Sequence, residues 1–285
     1  MTNKKIAILV DSGCDVPNTL VQANNIYEIP LKIIYETESF TDKVTITAEE
    51  IYDRLPTEIP KTSLPEGAVI QEIFKKIIAD GYEQLVAITI SSGLSDTFNS
   101  IRLIAQNFPQ LETFINKKKN IGIGAGSHAI KAAELIAQGA SFEEITNNLS
   151  HSTDKSKIFF SVATLEYLQK GGRIGLVSAV LGNALKLNPI ITCNEAGVYH
   201  TVAKSRGRKK SLEKTVSLVK EFVGNHQNVR LLVAHGNAEP EALVLVDVLK
   251  KEIPQANEIL VDQISPALVV HTGPGLIGLG AQLLD

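Results

Sequence analysis

Apolar residues come in blocks of strand length at positions 6–10, 85–90, 157–162, 229–234 and 258–261. Between them the spacing changes to intervals of three and four, over residues 70–78 and 243–253, which gives a helix one buried face. Two helix starts are marked chemically. Thr47-Ala48-Glu49-Glu50 and Ser141-Phe142-Glu143-Glu144 fit a capping box, in which a hydroxyl and the carboxylate three residues on satisfy exposed N–H groups of the first turn. A further helix is expected over residues 127–138, opened by Gly122-Ile123-Gly124-Ala125-Gly126. Strand and helix in alternation predict an α/β architecture with mainly parallel sheets. In the second half, residues 188–193 and 198–203 flank Asn194-Glu195-Ala196-Gly197, the spacing of a β-hairpin, so the sheet there is mixed. The polar stretch over 150–157 places the seam between an N-terminal α/β domain, 1–153, and a C-terminal one, 154–285.

With 285 residues and 44% hydrophobic content, the chain can bury a core without staples. Its 28 Lys and Arg against 31 Asp and Glu give a net charge of −3, so nothing draws it globally to nucleic acid or an anionic membrane. The basic stretch has no interleaved aromatics and the chain has no Trp, which argues against a base-stacking surface. Cys14 and Cys193 stand far apart outside any C-x-x-C spacing, the pattern of reduced thiols rather than of a disulfide framework or a zinc site. The apolar run after Met1-Thr2-Asn3-Lys4-Lys5 ends at Asp11, too soon for a signal segment or a membrane span. The expected location is the cytoplasm, with no stable membrane insertion. No P-loop, H-E-x-x-H helix or G-x-S-x-G elbow occurs, the glycine-rich stretch misses the G-x-G-x-x-G register, and the six histidines are scattered. No metal site and no catalytic set is therefore expected.

Candidate chemistry sits at the ends of apolar segments. Asp11-Ser12-Gly13-Cys14-Asp15 and Ser91-Ser92-Gly93-Leu94-Ser95 each follow an expected strand, where ligands collect in parallel sheets; the same residues also make ordinary turns and caps. Thr62, in Lys61-Thr62-Ser63-Leu64-Pro65, precedes a helix expected from Pro65, and Ser95 precedes one expected near Asp96. Two such hydroxyls can bond one carboxylate. A charge-assisted hydrogen bond contributes roughly 1.5–3 kcal/mol, whereas burying ~14 methylenes contributes ~11 kcal/mol before ordering costs. For a long-chain acid the tail would supply affinity and the hydroxyls orientation. Gly171-Gly172-Arg173 and the basic stretch from Lys204 to Lys210 set cations beside flexible or helix-starting backbone, the ingredients of a phosphate grip. Arg173 and Arg206 stand out, while Arg208, Lys209 and Lys210 read as a solvated positive face. His271, in His271-Thr272-Gly273-Pro274-Gly275, marks a sharp change of direction and is either a structural residue, a neutral hydrogen-bonding group or a proton donor near an anion.

Taken in order, the Asp11 loop through Pro17, Lys61 to Pro65, Ser91 to Thr97, the segment LEYLQKGGRI ending at Ile174, LNPI ending at Ile190, Lys204 to Lys210 and His271 to Gly275 are similar to the DegV family, nearly end to end. The resemblance implies a two-domain α/β protein with one long-chain fatty acid in a tunnel between the domains. It implies a non-catalytic, lipid-carrying component of a bacterial fatty acid kinase, with the fatty acid as ligand, no cofactor, and a separate ATP-binding kinase subunit as partner. The product would be an acyl phosphate bound for phospholipid synthesis. Thr62 and Ser95 match the hydroxyls that hold the carboxylate, and Arg173, Arg206 and His271 match groups associated with the phosphorylated head or the partner. Ser12, Ser63, Ser91 and Ser92 would surround the head group. Two departures stand out: Asp96 takes the place of a glycine, and Lys117-Lys118-Lys119-Asn120 takes the place of an Asp-Ser pair. Two rival readings remain beside this one: a stand-alone enzyme acting on acyl phosphates or another small phosphorylated acid, and a lipid-sensing regulatory module.

Overall fold

The computed structural model describes residues 4–117, 119–180 and 187–284. The first half runs β1 (Ile6–Asp11), α1 (Asn18–Ala23), β2 (Tyr27–Ile29), β3 (Lys32–Ile34), β4 (Ser39–Thr41), α2 (Ala48–Arg54), β5 (Lys61–Ser63), α3 (Gly67–Ala79), β6 (Gln84–Ile88), α4 (Thr97–Ala105), β7 (Glu112–Asn116), α5 (Ile123–Ala137) and α6 (Phe142–His151). The second half runs β8 (Ser156–Ser161), α7 (Glu166–Lys170), β9 (Leu187–Cys193), β10 (Tyr199–Arg206), α8 (Arg208–Val223), β11 (Val229–Gly236), α9 (Glu239–Glu252), β12 (Ala256–Gln263), α10 (Pro266–Thr272) and β13 (Leu276–Leu283).

These elements make two α/β domains. The first has a four-stranded sheet in the order β2-β1-β6-β7, all parallel, with a small antiparallel sheet β4-β3-β5 beside it. The second has a six-stranded sheet, β10-β9-β8-β13-β11-β12, in which only β11 and β12 run parallel. Alternation along each strand explains the packing. Ile8 and Val10 of β1 and Val86 and Ile88 of β6 face an inner core, while Ala7, Leu9, Leu85 and Ala87 face an outer one under α3 and α4. In the second sheet Ile158, Phe160, Leu232 and Ala234 face the same inner core, and Phe159, Leu231 and Val233 face α8 and α9.

The inner core is therefore shared by the two domains, and α5 runs through it. Every residue of α5 from Ile123 to Ala133 except Lys131 is buried, as a helix with sheets on both sides requires; small Ala125, Ala129 and Ala132 let both sheets approach. Arg230, 2% exposed, is another tie between the halves. It donates to Gln282 at 2.7 Å and pairs with Glu258 and with Glu134 of α5.

Both capping boxes form, with reciprocal bonds between Thr47 and Glu50 and between Ser141 and Glu144. The hairpin forms as β9 and β10, with Tyr199 opposite Cys193. Three boundaries move. α3 starts at Gly67, two residues past Pro65, and α4 starts at Thr97 with Asp96 as its cap. The glycine-rich stretch is the first turn of α5 rather than a loop before it. Among the described residues no helix is long and apolar enough to cross a membrane.

Candidate functional site

β1 and β6 are neighbouring parallel strands, so their carboxyl ends bring the turn Ser12–Cys14 and the loop Ser91–Ser95 to one edge of the sheet, the position where α/β sheets build ligand sites. Thr62 comes from the small sheet, paired in register with Ile33. The second domain supplies α10. Its first amides are held by two buried carboxyls of the first domain: Asp15 Oδ1 accepts from Ser265 N–H at 3.0 Å and Asp42 Oδ1 from Ala267 N–H at 2.9 Å. At the other end of α10, His271 Nε2 lies 2.7 Å from Thr62 Oγ1. Between the domains is a cavity of about 540 Å³, walled largely by apolar side chains including Leu31, Ile90, Ile158, Phe160 and Leu276.

The Thr62 end of this cavity carries hydrogen-bonding groups and a cation. His271 is buried, and burial, followed by the nearby Arg173 guanidinium, pushes its imidazole down to about 3; at neutral pH it is an uncharged partner for Thr62. A Cβ on Gly171 would stand 2.2 Å from His271 Nδ1, so the glycine lets the segment after α7 close onto the imidazole. Arg173 lines the cavity and spans two loops, Nε donating to Leu94 O at 3.4 Å and Nη1 to Gly171 O at 2.9 Å. Ser95 also lines it, its hydroxyl 2.9 Å from that of the buried Thr97, and Ser63 and Ser92 complete the expected hydroxyls in the wall. Neutral hydroxyls and one cation suit a single carboxylate or phosphate head.

Other expected site residues stand elsewhere. Ser12 is buried with its hydroxyl accepting from Leu31 N–H at 2.9 Å, and Ser91 donates to Gly197 O at 2.8 Å while accepting from Gly93 N–H; neither is in the cavity wall. They fold the loops that the sheet presents. Arg206 is exposed at the end of β10 and away from the wall. Arg208 is not a solvated charge, since it forms an ion pair with Glu241 at 2.6 Å, whereas Lys209 and Lys210 are exposed. Asp96 sits exposed at the cavity rim, where it takes the amide of Asn99. Lys119 pairs with Glu195 of the hairpin turn, so that departure joins the two domains; Lys118 lies outside the described residues. Among the described residues no three metal-ligating side chains cluster as a metal site would require.

Two further residues of the wall are Tyr199, which lies outside every motif named above, and Asp15, the last residue of the Asp11 loop. Tyr199 lines the cavity edge-on to Phe160, with ring centroids 5.1 Å apart, and burial pushes its phenol well up. Asp15 also lines it. Burial raises the Asp15 carboxyl to about 7, against the pull of Lys43 and Ser265, and raises its neighbours Asp11 to about 7 and Asp42 to about 6. Tyr199 is the buried first residue of β10 and carries no motif, whereas Asp15 belongs to the loop after β1 already marked as a ligand position, where its residue type reads equally as a turn.

Comparisons with known proteins agree over the whole fold. The family model described as "Uncharacterised protein, DegV family" matches residues 5–283. A DegV domain-containing protein of Clostridium perfringens is 40% identical over 280 residues, covering 98% of this chain and 99% of the relative. Among solved structures, a fatty-acid-binding DegV family protein from Thermus thermophilus superposes with a TM-score of 0.91 at 28% identity, covering 98% of this chain and all of the other. DegV from Bacillus subtilis, described as a fatty acid binding protein, superposes with a TM-score of 0.90 at 26% identity, covering 99% of this chain and 100% of the other.

Proposed function

The chain belongs to the DegV family, and we propose on that premise that it binds one long-chain fatty acid between its domains and presents the carboxylate to a separate ATP-dependent kinase subunit. The observation that carries this reading is an apolar cavity of about 540 Å³ whose hydroxyls, neutral histidine and single arginine gather at one end. A volume of this size lies within the range of about 300–1,000 Å³ typical of small-molecule pockets.

In this reading Thr62 and Ser95 hold the carboxylate, and Arg173 and His271 stand where a phosphorylated head would develop charge. Arg206, exposed outside the cavity wall, is a contact for the partner. The protein itself transfers nothing. It shields the tail and offers the head, in the cytoplasm where ATP is supplied. Denaturing extraction of the purified protein followed by mass spectrometry should yield a near-stoichiometric fatty acid; a protein that yields none and also fails to take up added palmitate or oleate would overturn the reading. Incubating the chain alone with ATP and fatty acid should give no acyl phosphate.

A further inference from the structure

On the inner face of the second sheet, Gly278 of β13 stands in register between Phe160 of β8 and Ala234 of β11. All three line the cavity, as does Leu276, but Gly280, the next inward position of β13, does not. The cavity stops there because α5 takes over the sheet. Ser156, opposite Gln282, donates to Gly124 O at 2.8 Å and lies 3.1 Å from the Ser127 hydroxyl, and of α5 only Ile123 reaches the cavity. His271 and Thr62 mark the other limit, since α10 leads into the turn before Leu276. Gly278 is thus the residue of β13 that lines the cavity farthest from the head end. Ile158, paired opposite Gly280, leans back over it. A Cβ at Gly278 would stand 3.4 Å from Ile158 Cδ1, 3.6 Å from its Cγ1 and 3.5 Å from Ala234 Cβ. Of the three glycines that line the cavity among the described residues, the other two answer to the backbone: Gly122 has φ of 55°, and a Cβ at Gly93 would stand 2.6 Å from Gly197 O. Gly278 has no left-handed φ and no backbone so close; what its missing side chain does is let Ile158 lie flat against the strand.

We propose that Ile158 and Gly278 together form the stop of the cavity and set the length of acyl chain that it accepts. The inference rests on the fatty-acid reading above and deepens it. With the carboxylate held at Thr62, the methyl end of the chain runs toward the closed end, where Ile158 meets it. A side chain at position 278 would either enter the cavity or lift Ile158 into it, and in both cases the last methylenes lose their place. Cutting Ile158 back to Cβ does the reverse, returning the space of about three carbons. Close packing makes such changes felt at the level of single methylenes, and each methylene buried or excluded changes affinity about fourfold.

The test is displacement of a fluorescent fatty acid from the delipidated full-length protein by the saturated series from decanoate through laurate, myristate, palmitate and stearate to arachidate. Wild-type affinity should rise about fourfold per methylene up to a limiting length and then level off or fall. Gly278→Val should move that limit about three carbons shorter, with a loss that is smallest for decanoate and reaches about fiftyfold at the wild-type limit. Gly278→Ala, whose Cβ would make only ordinary van der Waals contacts, should move it by about one carbon and decides the matter if the valine variant does not fold. Ile158→Ala should move the limit about three carbons longer. A limit that stays in place in all three variants would mean that the chain ends elsewhere, and the proposal falls. Loss of affinity by the same factor for short and long acids would overturn it equally, because the two residues would then support the fold rather than gauge the chain. A shift with Ile158→Ala alone would remove Gly278 from the stop. Failure of wild type to bind any of the acids would instead overturn the fatty-acid reading, and this inference with it.

Discussion

The two ends of α10 meet polar clusters of opposite character, and burial acts on them in opposite directions. At its last turn, burial and Arg173 keep His271 neutral beside Thr62. At its first, burial raises Asp15 and Asp42 while both accept backbone N–H groups. The arrangement follows the helix dipole, carboxyls at the N-terminus and a cation near the C-terminus. For a ligand the difference decides orientation. In the proposed function an anionic head would be attracted by the hydroxyls and Arg173 at the His271 end, and would find no free N–H donors at the other, where those of Ser265 and Ala267 are taken by Asp15 and Asp42.

Filling the space beside His271 should disturb the cluster at the last turn of α10 most severely. Gly171→Val sets a branched side chain into the position now held 2.2 Å from His271 Nδ1, and the imidazole is buried with little freedom to give way. Urea denaturation should show a loss of about 3 kcal/mol, the upper range for overpacking a filled site. Unchanged stability would mean that the segment after α7 is loosely docked and that the cluster at this end is less ordered than its distances imply.

Much of this contrast was legible in the sequence, at one end only. Thr62, Ser95, Arg173 and His271 stand in short polar motifs beside apolar runs, and all four line the cavity. Ser12 and Ser91 stand in motifs of the same kind but spend their hydroxyls on backbone, a distinction that depends on tertiary register and not on residue type. The main strands were visible because each is a near-continuous apolar run. β3, β4 and β5 were not, since three residues give no readable period, and β13 is interrupted by Gly278 and Gly280. Asp15 was visible only as a member of its loop. Its role depends on Ser265 and Gly122, distant in the chain and brought to it only by the folding of α10 and α5.

The two ends of α10 also respond oppositely to pH. Asp11 and Asp15 have folded pKa values of about 7, above the usual carboxylate value near 4 in the unfolded chain. The folded state therefore binds their protons more tightly, and the stability they contribute is fully present below the unfolded value and lost as pH rises through about 7. His271 has the reverse sign, with its folded pKa lowered to about 3, so it opposes folding only below about 6.5, where the unfolded imidazole takes up its proton. Between pH 8 and pH 6.5 the carboxyls dominate. Stability should rise by about 1.5 kcal/mol over that interval, and Asp15→Asn should remove about half of the rise. A flat profile would show that neither carboxyl is held in the neutral form.

A paired substitution tests the division of labour at the head end. Thr62→Ala combined with Ser95→Ala removes two hydroxyls from the cavity wall but leaves its apolar lining intact. Net hydrogen bonds contribute about 1 kcal/mol, against ~11 kcal/mol for burying a tail of ~14 methylenes. At about 1 kcal/mol for each of the two hydroxyls, the double variant should bind palmitate about thirtyfold more weakly, and with the tail still buried it should co-purify with lipid. Phosphorylation of the bound acid by the proposed kinase partner should fall by more than that, because the carboxylate is no longer held in one direction and the near-attack geometry is lost. Equal losses in binding and phosphorylation would mean that the hydroxyls contribute affinity alone, and that orientation comes instead from Arg173 and the sign difference between the two ends of α10.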